Sequence, residues 1–78
     1  MRASELRKTS VEFFAMSVDM AKQHAEAAKA LASADLPPAA RVGLKALAGV
    51  QDCMARRYRT WATHLEVAAA EIDELEQR

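Results

Sequence analysis

Almost nothing in this chain interrupts a helix: its 78 residues include two glycines and two prolines. That scarcity excludes a sheet architecture, whose strands need turn residues at short intervals. A single cysteine, Cys53, cannot form an internal disulfide. With no charged start leading into an apolar leader, it sets the expectation of a reducing, cytoplasmic location. No apolar run approaches the roughly 20 residues of a membrane span. Charge of one sign is missing too. Eleven basic side chains face eleven acidic ones, so no net field draws the protein as a whole onto nucleic acid or anionic lipid.

What remains is a 51% hydrophobic sequence dominated by alanine, a composition of good helix formers. One domain, residues 1–78, is expected, near the size at which a lone core barely offsets conformational entropy. Help from oligomerisation or from a partner is therefore anticipated.

Leu44, Leu47, Gln51, Met54, Tyr58, Trp61, Leu65, Ala68, Ile72 and Leu75 follow alternating spacings of three and four. That is the seam of a heptad helix, and Leu44, Leu47, Met54, Tyr58, Trp61, Leu65, Ile72 and Leu75 are its expected hairpin core. Beside the seam, Ala48, Ala55, Ala62 and Ala69 recur every seven residues, and side chains that small let a neighbouring backbone come close. A helix over about 38–76 would be roughly 58 Å long.

The first helix, expected over about 4–34, carries two apolar stripes. Val11, Phe14, Val18, Ala21, Ala25, Ala28 and Ala32 form one; Leu6, Phe13, Met20, His24, Ala27 and Leu31 form the other. They are turned from each other by roughly 100° because Phe13 and Phe14 are sequence neighbours. On the remaining polar face, Lys8 with Glu12 and Lys22 with Glu26 are i,i+4 pairs of small stabilising effect.

Between the helices lies Asp35-Leu36-Pro37-Pro38. A residue preceding proline is pushed out of the α region, so Leu36 and Pro37 should be extended, while Pro38 suits a first helical turn. A turn over 35–38 makes the helices antiparallel neighbours. The basic start (Arg2, Arg7, Lys8) then lies beside the acidic end (Glu66, Glu71, Glu74). Gly43 and Gly49 each weaken the second helix by about 1 kcal/mol relative to alanine, which leaves room for a kink before Val50.

The fold class is thus all-α: an antiparallel two-helix hairpin. One companion helix can shield only one of the two stripes, so dimerisation into a four-helix bundle is expected. Interface candidates are Leu6, Phe13, Phe14, Val18, Met20 and Leu31, the set not used inside the hairpin making the contact.

Three groups of residues bear on chemistry. Met16, Met20 and His24 at i, i+4, i+8, with Cys53 near the level of Met20, offer soft ligands suited to monovalent copper. Methionines at helical spacing more often fill core, so no metal and no cofactor is expected. Arg56, Arg57, Tyr58 and Arg59 before Trp61 suggest basic groups interleaved with stacking aromatics. Their places on seam and outer face argue against nucleic acid. His64 and Cys53 are about 16 Å apart along one helix, too far to share a proton. No enzyme activity is expected.

Lys8-Thr9-Ser10 leading into Glu12-Phe13-Phe14, the stretch Lys29-Ala30-Leu31-Ala32-Ser33-Ala34, the short break and a second helix through Arg57-Tyr58 resemble the phasins. Those are helical proteins that coat polyhydroxyalkanoate granules, and the resemblance spans about residues 8–76. It implies a structural role in which apolar stripes adsorb to an apolar granule surface or pair with other copies. The chain also resembles, less closely, the helical hairpins exported by type VII secretion systems. Those carry Trp-x-Gly in the turn and Tyr-x-x-x-acid after it, whereas here Trp61 precedes Ala62-Thr63 and Ala62 stands four after Tyr58. The functional expectation is a non-enzymatic interaction protein, a homo-oligomer or a small subunit of a hetero-complex. A phasin-like coat, and an adaptor or inhibitor docking a helix face on another protein, are the alternatives.

Overall fold

Helix α1 spans Ala3–Leu31 and helix α2 spans Pro38–Glu76 in the computed structural model, which describes residues 1–78. They pack side by side as an antiparallel hairpin, a rod of 63 × 14 × 13 Å with no strands. Helix α2 runs unbroken through Gly43 and Gly49, neither of which adopts a positive φ. Their combined propensity cost, about 2 kcal/mol, is small beside the packing of the whole helix, and no separate short helix forms before Val50.

Helix α1 stops at Leu31, earlier than Asp35-Leu36-Pro37 alone would require. Its end is held from outside. The Arg41 guanidinium donates through Nη1 to the Leu31 carbonyl at 2.6 Å and through Nη2 to the Ser33 carbonyl at 2.8 Å. A cation bonded to the last carbonyls satisfies acceptors that no helical N–H can reach and opposes the negative end of the dipole. Pro37 is extended, with φ −57° and ψ 147°, and Pro38 opens α2. Arg41 N–H then donates to the Pro37 carbonyl at 2.9 Å, closing the first turn.

The two helices meet along rungs that step seven residues in opposite directions. Ala3 packs with Ala69; the Ser10 hydroxyl donates to the Ala62 carbonyl at 2.9 Å; His24 Nδ1 donates to the Ala48 carbonyl at 2.8 Å. Arg41 on Leu31 continues the series, and the same register sets fully buried Ser17 against buried Ala55. A serine oxygen can touch the facing backbone only where the axes lie close, and the alanine rungs of α2 permit that approach.

This corrects the expected core. The contact line of α2 runs through Leu44, Ala48, Gln51, Ala55, Tyr58, Ala62, Leu65, Ala69 and Ile72, each buried or half-buried. Leu47, Trp61 and Leu75, expected inside, are exposed at 50%, 40% and 64%. Met54 is half-buried. The helix is rotated so that its alanines, not its larger flanking residues, face the partner, because the small residues Ala3, Ser10 and Ser17 of α1 complete a close-packed pair. Leu6 with Leu65, Ala68 and Ile72 forms the apolar cluster at one end. Near the middle, Phe13 packs between Tyr58 and Trp61, with ring centroids 5.7 and 6.0 Å away.

Candidate functional site

The hairpin chooses between the two stripes of α1. Leu6 is buried against α2, and Phe13, Met20, His24 and Leu31 are half-buried along the same line. The interface candidates Leu6, Phe13, Met20 and Leu31 therefore line the contact within one copy. The other stripe is left uncovered: Val11 is 66% exposed and Phe14 53%, Val18 is half-exposed, and Ala21, Ala25 and Ala28 are exposed.

Val11 and Phe14 form one wall of an open groove between the helices, with Ser10 and Ala62 at its base. Arg59, Thr63 and Glu66 of α2 form the other wall. This side of the rod is apolar on α1 and charged on α2. On the opposite side the order is reversed. Leu47, Met54, Trp61, Ala68 and Leu75 lie there on α2 at seven-residue spacing, and Glu5, Glu12, Asp19 and Glu26 run along the facing flank of α1 at the same spacing.

Two polar features sit on the contact line. Arg7 is bound by the Asp73 carboxylate across the helices. This hydrogen bond, then the charges of Asp73 and Glu66, raise the Arg7 pKa above its ordinary value. The expected basic-to-acidic pairing of the helix ends is thus made through Asp73. Gln51 is buried, its amide nitrogen 3.4 Å from Gln23 Oε1 and its own Oε1 without a partner. Sequence reasoning marked Gln51 as the polar member of the seam; only the packing shows that one of its atoms is unsatisfied.

The soft-ligand candidates are not gathered. His24 gives Nδ1 to the Ala48 carbonyl, Met16 is exposed, Met20 is half-buried, and Cys53 is exposed on the outer surface of α2. No three His, Cys, Asp or Glu side chains converge on one point. Among the basic candidates, Arg56 is paired to Asp52 along the helix, and with Arg57, Thr60 and Trp61 it borders a shallow depression. The acidic row Glu5 to Glu26 flanks the same side of the rod, which opposes the approach of a polyanion.

Comparison with protein-family models, with curated proteins and with solved structures finds no match to this chain. No helix is long and apolar enough to cross a membrane.

Proposed function

We propose that the protein is a non-enzymatic association module that enters a complex through Val11, Phe14 and Val18 on α1. The observation carrying this reading is the exposure of Phe14 and Val11 in mid-helix, on a rod whose other contact line is already used. Burying such side chains contributes about 1.5–3 kcal/mol each, a gain that a partner can collect and the hairpin itself cannot. Its working environment is a reducing cytoplasm, consistent with the exposed thiol of Cys53.

Isolation of tagged protein from its native cell tests the reading. The wild type is expected in an assembly larger than its own 8.6 kDa, and Phe14→Glu is expected as the free chain. If wild type and variant both emerge as free chain, the association role is wrong. The phasin-like coat draws on a specific observation as well: apolar side chains sit on two sides of the rod, the second being the Leu47, Trp61 and Leu75 edge. An apolar surface could cover either side. Cosedimentation with polyhydroxyalkanoate granules that Phe14→Glu or Trp61→Glu abolishes would select the coat over a protein partner.

A further inference from the structure

The groove side of the rod is divided lengthwise, apolar on α1 and charged on α2, and each half has a pattern of its own. Along α2 the edge facing the groove reads Lys45, Asp52, Arg59, Glu66, one residue every heptad and alternating in sign, before Asp73, which is held by Arg7 of its own chain. Reversed end for end, those four meet their complements, Lys45 with Glu66 and Asp52 with Arg59, while Asp73 falls opposite Pro38. Along α1 the same reversal brings the large members of the apolar stripe together, Phe14 to Val18 and Val11 to Ala21, while Ala25 and Ala28 pass Arg7 and Ser4.

We propose that the occupant of the groove side is a second copy of this chain, related by a two-fold axis perpendicular to the rod. This rests on the association reading above and names its partner. The two patterns are independent, one apolar on α1 and one ionic on α2, and one arrangement serves both the large apolar side chains and the four charges. The hairpin register ties levels on α1 to levels on α2 through the Ser10–Ala62 and His24–Ala48 bonds. Carried through that register, the offset that pairs Phe14 with Val18 of the second copy falls within one residue of the offset that pairs Lys45 with its Glu66. One residue of helix is about 1.5 Å, within the reach of lysine and glutamate side chains.

Symmetry removes the main competitor. A two-fold along the rod would set the apolar half of each copy on the charged half of the other, burying Phe14 against Arg59 and Glu66 and desolvating those charges without complement. The perpendicular axis places α1 on α1 and α2 on α2, antiparallel in both cases, giving a closed, isologous four-helix bundle. Two like-charge approaches accompany it. Arg56 meets its own copy near the axis, each sharing its own Asp52 with Arg59 of the second copy, and Lys8 nears Lys22 at the solvated rim, where screening is strong. Neither falls on the Val11, Phe14 and Val18 stripe.

The test uses the full-length purified chain in sedimentation equilibrium, with helicity monitored by circular dichroism. The wild type is expected to be a dimer at micromolar concentration. Phe14→Glu, at an exposed position, should remain helical and become monomeric. Lys45→Glu and Glu66→Lys should each weaken the dimer about tenfold at low salt, because every dimer contains the pair twice. The double variant Lys45→Glu with Glu66→Lys should regain wild-type affinity, since the pair is restored with its signs exchanged. Residues 45 and 66 are too far apart along α2 to interact within one chain, so a local helix effect would give no rescue. A helical monomer at 100-fold higher concentration would overturn the second copy as occupant. If the chain isolated from cells is then still in a complex, the association reading survives; if it is free there too, both fall. A dimer unaffected by Phe14→Glu would refute the face, and a double variant no tighter than the singles would refute the register.

Discussion

At the residue scale, single atoms decide how this pair of helices is held. Arg41 does the work that a glycine commonly does after a helix, satisfying the Leu31 and Ser33 carbonyls from outside. Arg41→Ala should destabilise the hairpin by about 1.5–3 kcal/mol, the range for hydrogen bonds from a charged donor, and urea unfolding will measure it. Gln51 poses the opposite case. Its buried Oε1 has no partner, so Gln51→Met, similar in volume, should raise stability by about 1–2 kcal/mol. A decrease in the same unfolding assay would mean that the Gln23 contact matters more than the orphaned oxygen. Trp61, 40% exposed, should lose less on truncation than a closed core site would: about 1–3 kcal/mol for Trp61→Ala, below the 3–5 typical of buried tryptophan. Arg56→Ala, at an exposed intrahelical pair, should change stability by less than about 0.5 kcal/mol.

At the element scale, the spacing of small residues sets how close the helices lie. Alanine at 48, 55, 62 and 69 was visible in the sequence as a repeat beside a larger seam, and the larger seam looked like the natural contact. The partner helix reversed that order. Ala3, Ser10 and Ser17 on α1 recur with the same period, and two small-residue rows facing each other bring the backbones close enough for the Ser10 hydroxyl to bond the Ala62 carbonyl. Enlarging a rung should be costly: Ala62→Leu is expected to destabilise by about 1–3 kcal/mol through overpacking, as thermal unfolding will report. The glycines of α2 are the reverse. An added Cβ at Gly43 or Gly49 meets nothing within 4 Å, so Gly43→Ala and Gly49→Ala should each stabilise by about 0.5–1 kcal/mol. The i,i+4 pairs Lys8–Glu12 and Lys22–Glu26 do not close to salt-bridge distance, whereas Asp52–Arg56 and Glu74–Arg78 do. Exposed pairs of this kind are too weak to dictate side-chain geometry.

At the scale of the whole molecule, the ion pair that joins the helix ends is insensitive to neutral pH on the arginine side. The folded pKa of Arg7 is raised; its contribution is complete below arginine's ordinary value and is lost only as pH climbs through the raised one. Shape offers a separate check on assembly. A single hairpin has a Cα radius of gyration of 17.8 Å. Two hairpins overlapping along their lengths at an axis separation of about 8–10 Å should show about 18–19 Å at doubled mass. Small-angle scattering giving a markedly larger radius would mean end-to-end growth instead of a bundle.

Helix content, the break at Asp35-Leu36-Pro37-Pro38 and the antiparallel hairpin were determined locally, because propensity, proline geometry and a short connection act within a few residues of chain. So was the presence of two apolar stripes on the first helix. Which stripe faces inward was settled only by the tertiary structure: Phe13 and Phe14 are equally apolar, and their difference is a rotation of one helix against another. The same rotation put the alanines inside and Trp61 at the edge. Facing rows of small residues gain from close approach together, and no property of either helix alone reports that gain.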